Sequence, residues 1–329
     1  MKHQNIFVVL LLLASLLLFS LGVYKKYRHL ANDADSDTAI RIAVIPKGTA
    51  NMWWEVVRKG AEKAAAEAGI SVSWNGPELE TDREKQIQCV EDALTRNVDA
   101  VVLGPNDFRA LARSVEKIKE RNLPCVIIDS PVESTNYDSF VATDNYQGGA
   151  LAADILGAAL GGKGNVIVIS FVPNSASTDA RSRGFTESIA KKFPNIKILS
   201  DQYTLGTVED ARQKTVDLLT RFPETNGVFA VNHPSSVGAF KAIESQNRAG
   251  KIKFVAFDSD PVLLDGVAAD HIEAIIAQNP FDIGYRGVKC AISLLRRECV
   301  EKFIPIAGIT VTKANLEEMK AKYPQALGL

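Results

Sequence analysis

The sequence has few of the residues that build metal centres and catalytic dyads. Its 329 residues include only 4 Cys and 4 His, and their spacing matches neither a zinc ribbon nor a pair of His ligands on one helix turn. No G-x-G-x-x-G motif follows a strand, no G-x-S-x-G motif is present, and no nucleophile–base pair is apparent. We therefore expect no catalytic residue, no metal site, no cofactor and no enzymatic activity.

Basic charge is also scarce for a nucleic-acid-binding protein. Lys and Arg number 38 against 39 Asp and Glu, so the formal net charge is −1. Proteins that neutralise phosphates carry a basic stripe, which this balance does not favour. With 46% hydrophobic and 23% charged residues, the chain has the composition of an ordinary folded protein. The sequence predicts about two packed domains and no nucleic-acid partner.

The longest apolar run lies at the N-terminus. Residues 6–23 are almost entirely hydrophobic and are flanked by Lys and Arg. This length lies between a signal-peptide core and a membrane-spanning helix, and residues 20–22 have the small-x-small spacing of a cleavage site. Residues 1–37 are therefore predicted to be a cleaved signal peptide or an uncleaved membrane anchor, followed by a polar linker. Both alternatives place the folded body in the periplasm or on the outer face of the cytoplasmic membrane.

Beyond residue 40 the hydrophobic pattern alternates between strands and helices. Apolar strand-like runs, such as 41–45, 100–103 and 125–128, are separated by segments with helical spacing, and the series begins again after residue 145. Alternating strands and helices specify a parallel sheet covered by helices. The pattern predicts an α/β fold with two similar doubly wound lobes.

Polar residues follow several of the predicted strands. Ligands bind beyond the carboxyl ends of strands in open parallel sheets, and two facing sheets would form a cleft there. Two adjacent aromatic residues, Trp53 and Trp54, begin the first helix and could stack on the C–H faces of a sugar, while carboxylate, amide and guanidinium groups bind its hydroxyls. Six polar residues are placed for this role: Asn51, Asp129, Arg181, Asn232, Asp258 and Gln278.

These residues also have purely structural interpretations. One Trp could be buried in the core and the other exposed. Asn232 and Asp258 could cap the helices that follow them. The sequence pattern leaves these alternatives open.

The cysteines could pair or remain free. An even count in an exported protein permits disulfides. Cys89 and Cys125 lie in a predicted helix and a predicted strand, where small buried thiols are common. We expect these two, together with Cys290 and Cys299, to be buried free thiols.

Seven short blocks of the sequence match one protein family in order. The blocks are NMWW (51–54), VIID (126–129), ATDN (142–145) with GG (148–149), STDAR (177–181) with GF (184–185), VFAVN (228–232), VAFD (255–258), and AQNPF (277–281) with Gly284. Through them the chain resembles the type I periplasmic solute-binding proteins of sugar ABC transporters, especially the ribose-binding group. The resemblance covers about residues 42–311.

The resemblance implies a division into lobes. It implies two lobes joined by three crossovers, which close around one ligand. It places the N-terminal lobe at residues 38–143 with 279–305, and the C-terminal lobe at residues 144–278 with 306–329. Asp144 and Asn145 would organise a crossover.

The resemblance also implies a function and a set of ligand contacts. It implies a monomer that binds a monosaccharide or related polyhydroxy ligand and delivers it to an ABC permease; the alternative is a membrane-tethered sensor for a sugar or autoinducer-2-like ligand. Lys47 resembles a ligand-binding Lys of autoinducer-2-binding relatives, although it could be a solvated turn residue, and Asp179 could add a carboxylate. The other implied contacts are Asn51, Trp53, Trp54, Asp129, Arg181, Asn232, Asp258 and Gln278.

Two positions depart from the ribose-binding pattern. That group has Arg after the strand-ending Asp, where this chain has Ser130. It also has a stacking Phe near Leu205 and Gly206, where the nearest aromatic residue of this chain is Tyr203. Losing a bidentate donor and a stacking ring changes what the site recognises, so we expect a ligand other than ribose.

Overall fold

Twelve strands and ten α-helices make up the part of the chain that the structure describes. The computed structural model describes residues 40–329. The strands are β1 (Arg41–Ile45), β2 (Ser71–Trp74), β3 (Ala100–Leu103), β4 (Cys125–Ile128), β5 (Ser139–Thr143), β6 (Lys163–Ser170), β7 (Asn195–Tyr203), β8 (Gly227–Ala230), β9 (Lys253–Phe257), β10 (Ala274–Ala277), β11 (Phe303–Ile306) and β12 (Ile309–Val311). The helices are α1 (Met52–Glu67), α2 (Arg83–Thr95), α3 (Ala112–Glu120), α4 (Asn145–Ala159), α5 (Ala176–Lys192), α6 (Val208–Arg221), α7 (His233–Ser245), α8 (Pro261–Ala268), α9 (Pro280–Leu295) and α10 (Leu316–Lys322).

The strands form two six-stranded sheets, one in each lobe. The sheet of the N-terminal lobe has the order β11-β5-β4-β3-β1-β2, and that of the C-terminal lobe has the order β12-β10-β9-β8-β6-β7. The chain passes between the sheets three times: after β5, after β10 and after β11. The predicted α/β fold with two doubly wound lobes and three crossovers is confirmed. The predicted residue bounds of the lobes stay a prediction.

Three strands were not predicted from the hydrophobic pattern, namely β5, β11 and β12. β11 and β12 are edge strands, and β11 contains Pro305, which an edge tolerates because one side of the strand makes no ladder hydrogen bonds. β12 also runs antiparallel to β10, so the second sheet is not purely parallel. β11 pairs with β5 and β12 pairs with β10, in each case with a strand far away in the sequence. This pairing stabilises the two short edge strands, and local periodicity does not reveal it.

Apolar clusters cover both faces of each sheet. Strands β3, β4, β8 and β10 are buried along their whole length, as expected for parallel strands between two layers of helices. Burying each Val, Leu or Ile side chain contributes roughly 1.5–3 kcal/mol. The cores hold the strand ends, and therefore the residues that follow them, in fixed positions.

Pairs of glycines allow two helices to pack closely in each lobe. A Cβ added to Gly149 on α4 would lie 1.9 Å from the carbonyl oxygen of Arg181 on α5, and one added to Gly184 would lie 2.1 Å from that of Tyr146. In the N-terminal lobe, Gly60 on α1 and Gly284 on α9 allow the same close packing of their two helices. In the C-terminal lobe this close packing sets the position of α5, which carries Arg181.

The cysteine prediction is partly wrong. All four cysteines are free, and Cys89, Cys125 and Cys290 are buried as expected. Burial raises the pKa of the Cys125 thiol to about 12. Cys299 is exposed, because it lies in the connection after α9 and outside the packed helix.

The N-terminal prediction concerns residues that the structure does not describe. The predicted signal peptide or anchor, with its linker, falls on residues 1–37, outside the described range. Within residues 40–329, no helix combines the length and the apolar character needed to cross a membrane.

Candidate functional site

Five of the predicted site residues follow the carboxyl ends of strands in the two sheets. Asp129, Asp258 and Gln278 come directly after β4, β9 and β10. Lys47 and Asn232 come two residues after β1 and β8. Parallel strands bring these residues to one edge of each sheet, where ligand sites of open α/β sheets form.

The structure brings all nine predicted site residues to one cavity between the lobes. The cavity is lined by residues of both lobes and contains about 310 Å³ of empty space, part of which is open to solvent. The predicted residues in its wall are Lys47, Asn51, Trp53, Trp54, Asp129, Arg181, Asn232, Asp258 and Gln278. That they contact a ligand stays a prediction. The wall also includes five residues outside the predicted set: Glu80, Ser177, Thr178, His233 and Pro234.

The two tryptophans form one corner of the cavity. Trp54 is buried and Trp53 is partly buried, so the structural alternative, in which one of them is a surface residue, does not hold. Their rings meet edge to face, with centroids 4.8 Å apart. Asn51 caps α1 by accepting a hydrogen bond from the Trp53 amide at 3.0 Å. The buried Trp53 Nε1 has no hydrogen-bond partner among the described residues, so it is available to donate to a ligand.

A buried ion pair lies on the N-terminal side of the cavity. Lys47 Nζ is 2.5 Å from Asp129 Oδ2, and both side chains are about 95% buried. The same ammonium donates to Ser177 Oγ of the other lobe at 3.0 Å. Lys47 is therefore not the solvated turn residue that the sequence also allowed. It links Asp129 to the opposite lobe.

Arg181 lies at the centre of the equivalent network on the C-terminal side. Its Nε donates to Asn145 Oδ1 at 2.8 Å and one terminal nitrogen donates to the Val231 carbonyl at 2.9 Å. That nitrogen is also 3.6 Å from Asp258 Oδ2, and the guanidinium lies 3.8 Å from the Phe257 ring centroid. Burial lowers the pKa of Arg181, an effect that the nearby carboxylates, Asp258 first, oppose. The network holds the guanidinium in a fixed orientation.

Asp258 and its counterpart Asp129 share an uncommon backbone conformation. Their φ angles are 63° and 64°, in the left-handed region that non-glycine residues seldom adopt. Their amides donate to the carbonyls of Ile276 and Val141 on the neighbouring strands. Strain of this kind persists where the surrounding structure requires it, often at binding sites.

The helix-capping alternative applies to Asn232 but not to Asp258. Asn232 Oδ1 accepts from the Ser235 amide at 3.3 Å at the start of α7, and the residue also lines the cavity. Asp258 instead accepts from Gln278 Nε2 at 2.9 Å and from the His233 amide. α8 is capped by Asp260. Gln278 Oε1 is buried without a partner among the described residues.

Glu80 is the main cavity residue that sequence reasoning missed. It lies in the loop after β2, away from any strand end, and accepts a hydrogen bond from Trp54 Nε1 at 2.9 Å. Burial raises the pKa of Glu80, with Lys47 and Trp54 acting in the opposite direction. His233 Nε2 is 2.9 Å from Asp260 Oδ2, and no motif in the sequence indicates this pairing. Only the fold brings these groups together.

Other predicted residues lie outside the cavity wall. Asp179 accepts from the Tyr203 hydroxyl at 3.1 Å and does not line the cavity. Asp144 caps α4 by accepting from the Gln147 amide. Its role in organising a crossover, like that of Asn145, stays a prediction. Among residues 40–329, no group of three or more His, Cys, Asp or Glu residues could hold a metal ion.

Comparisons with known proteins agree with the fold and indicate the family. A family model described as a periplasmic binding protein domain matches residues 42–299. The D-allose-binding periplasmic protein of Escherichia coli is 29% identical to this chain, and the match covers 77% of this chain and 84% of that protein. The ribose import binding protein of Bacillus subtilis is also 29% identical, and the match covers 77% of this chain and 81% of that protein. A solute-binding protein of Agrobacterium radiobacter, solved with D-arabinose, has a TM-score of 0.84 and 33% identity over 87% of this chain and 98% of the other. One of Agrobacterium vitis, solved with D-fucose, has a TM-score of 0.83 and 34% identity over 86% and 99%.

Proposed function

The chain belongs to the periplasmic binding protein family, and we propose that it is the extracytoplasmic solute-binding component of a sugar ABC transporter. It acts by binding and not by catalysis. Its ligand is a monosaccharide or a related small polyhydroxy molecule, held between the lobes. Its partner is a permease in the cytoplasmic membrane, to which it delivers the ligand. Relatives named as import and transporter binding proteins support this role.

The composition of the interlobe cavity is the observation that carries the proposal. Indole rings suit the C–H faces of a sugar ring, and the surrounding carboxylates, amides and guanidinium suit its hydroxyls. Trp53 Nε1 and Gln278 Oε1 are a buried donor and a buried acceptor without partners among the described residues. Because unpaired buried polar groups are costly, a hydroxylated ligand that binds both would stabilise the closed arrangement.

The charges of the cavity favour a neutral ligand. Asp129 is paired with Lys47, and Asp258 with Arg181. Among the described residues that line the cavity, no cation is left without a carboxylate partner to bind an acid, and Glu80 adds a third carboxyl group. The structures of relatives with D-arabinose and D-fucose support neutral pyranoses as the class to test. Ser130, where the ribose-binding group has Arg, argues against ribose itself.

A thermal-shift screen of the purified chain tests the proposal. The panel contains D-arabinose, D-fucose, D-allose, D-ribose, D-tagatose and a sugar acid. A sugar at about 100 times its dissociation constant adds roughly 2.7 kcal/mol to the free energy of unfolding. We expect a rise in melting temperature with at least one neutral sugar and none with the acid. No rise with any neutral sugar would contradict the proposal.

A further inference from the structure

A second cavity opens directly beside the interlobe cavity, which we call the inner cavity from here on. It is open to solvent, has a volume of about 360 Å³, and shares Asn51, Glu80, His233 and Pro234 with the first. The remaining wall comes from both lobes, from residues 48, 50, 52, 78 and 79 on one side and residues 206–208 on the other. This mouth cavity, as we call it, is therefore an extension of the proposed sugar site between the lobes and is not a separate surface groove.

The polar groups in the wall of the mouth cavity are largely engaged elsewhere. The Ala50 amide donates to the Glu78 carbonyl at 3.2 Å. Thr207 Oγ1 accepts from the Asp210 amide at 3.1 Å. His233 Nε2 is paired with Asp260. Apart from the Glu78 carboxylate, a second sugar ring would find few free donors or acceptors here. In the inner cavity, by contrast, Trp53 Nε1 and Gln278 Oε1 are buried without a partner among the residues that the structure describes.

The remaining wall of the mouth cavity is apolar. Met52 and Leu79 belong to it and are 52% and 50% exposed, so the wall presents two large apolar side chains to solvent. Gly206 contributes backbone only, with φ at 88°, so no side chain from this position closes the passage. An apolar group attached to a sugar would cover this surface, whereas a free monosaccharide would leave it in water.

We infer that the chain binds glycosides, with the sugar in the inner cavity and an apolar aglycone in the mouth cavity. The inference rests on the proposed sugar-binding function and extends it to the ligand's substituent. The carboxylate of Glu78 at the rim disfavours an anionic aglycone, because it would add a like charge. The aglycone is therefore a neutral aromatic or alkyl group.

Calorimetric titration with matched ligands tests the inference. D-fucose and D-arabinose would each be offered as the free sugar, the methyl glycoside and the 4-nitrophenyl glycoside, in both anomeric forms. We expect one anomer of a 4-nitrophenyl glycoside to bind at least tenfold more tightly than its methyl glycoside. Tight binding of a free sugar with no binding of either anomeric glycoside would overturn the inference and leave the proposed function standing. Absence of binding by every ligand would overturn the inference, and only the further absence of a thermal shift with every neutral sugar of the panel would overturn the proposed function as well.

Two variants localise the effect to the mouth cavity. Leu79→Ala removes apolar wall and should weaken 4-nitrophenyl glycoside binding about threefold to tenfold, without changing free-sugar affinity. Ala50→Trp fills the cavity and should abolish the advantage of the glycoside. Leu205→Ala is the matched control, since Leu205 is 73% exposed yet does not line the mouth cavity. Equal effects of Leu79→Ala and Leu205→Ala on glycoside affinity would contradict the inference.

Discussion

At the scale of single residues, the site is built from pairs that satisfy each other across the cavity. Lys47 neutralises Asp129, and Arg181 lies beside Asp258. Replacing one member of a buried ion pair costs more folding stability than replacing both members, because the remaining charge is then buried without compensation. Such pairs orient their groups toward a ligand at a cost in desolvation. The ordering of the site therefore depends on both members of each pair.

Lys47→Met should destabilise the chain by about 3–5 kcal/mol, because it leaves the Asp129 carboxylate buried and unpaired. The double variant Lys47→Met/Asp129→Leu should lose much less stability than the two single variants added together. Urea unfolding of the four proteins measures this coupling. Additive losses would show that the two side chains do not interact in solution.

Glu80→Gln should change how stability depends on pH. Burial raises the pKa of Glu80 in the folded chain, so the folded state favours the neutral carboxyl. The neutral Glu80 carboxyl therefore contributes its full stabilisation at pH values below the ordinary pKa of 4.5. This contribution is lost as the pH rises through the raised pKa that Glu80 has in the folded chain. Relative to the parent, Glu80→Gln should therefore gain stability as the pH rises above about 4.5.

Melting temperatures measured across that pH range provide the test. Glu78→Gln is the matched control, because Glu78 is an exposed carboxylate two residues away. If both variants changed with pH in the same way, the assignment of the effect to Glu80 would be wrong.

At the scale of elements, strand ends explain why much of the site could be predicted. Asp129, Asp258 and Gln278 directly follow buried strands that local hydrophobicity identifies, so their positions at the carboxyl ends of the parallel strands in the two sheets follow from the fold class. Glu80 could not be found in this way, because its loop has no periodic signal. The His233–Asp260 pair joins residues at the starts of two helices, and the edge strands β11 and β12 depend on partners distant in sequence.

Helix packing gives a prediction at the same scale. Gly149→Ala should destabilise the chain by about 1–3 kcal/mol, because the new methyl group would meet the Arg181 carbonyl on α5. It should also weaken sugar binding, since α5 carries Arg181. Gly308→Ala is the control, because its nearest neighbour would be the Ala277 carbonyl oxygen at 3.6 Å, an ordinary contact. Unfolding and titration of both variants measure the difference, and equal stability would contradict the packing account.

At the scale of the whole molecule, the lobes are in direct contact around the cavity. The Ser177 amide donates to Ser130 Oγ at 3.3 Å, and the Phe108 amide donates to the Asn174 carbonyl at 2.9 Å. Together with the bond from Lys47 to Ser177, these contacts describe a closed arrangement. A ligand shifts an equilibrium between open and closed forms only by its differential affinity for the two.

If the ligand closes the cleft between the lobes, the protein should become more compact. Adding a sugar that binds should reduce the radius of gyration measured by small-angle X-ray scattering, because contacts from both lobes to the ligand favour the closed form. Ser177→Ala removes the side-chain bond from Lys47 across the cleft, so more sugar should be needed for the same reduction. Unchanged scattering at saturating sugar would contradict a hinge closure driven by ligand.

Calorimetric titration of site variants tests the central claim most directly, namely that one sugar binds to residues of both lobes at once. The variants are Asp129→Asn in the N-terminal lobe, Asp258→Asn in the C-terminal lobe, and Asp179→Asn as the control outside the cavity wall. With the sugar that stabilises the parent chain, we predict a single site, at least tenfold weaker binding by each of the first two variants, and parent-like affinity for the control. Parent-like affinity in either Asp129→Asn or Asp258→Asn would contradict the account.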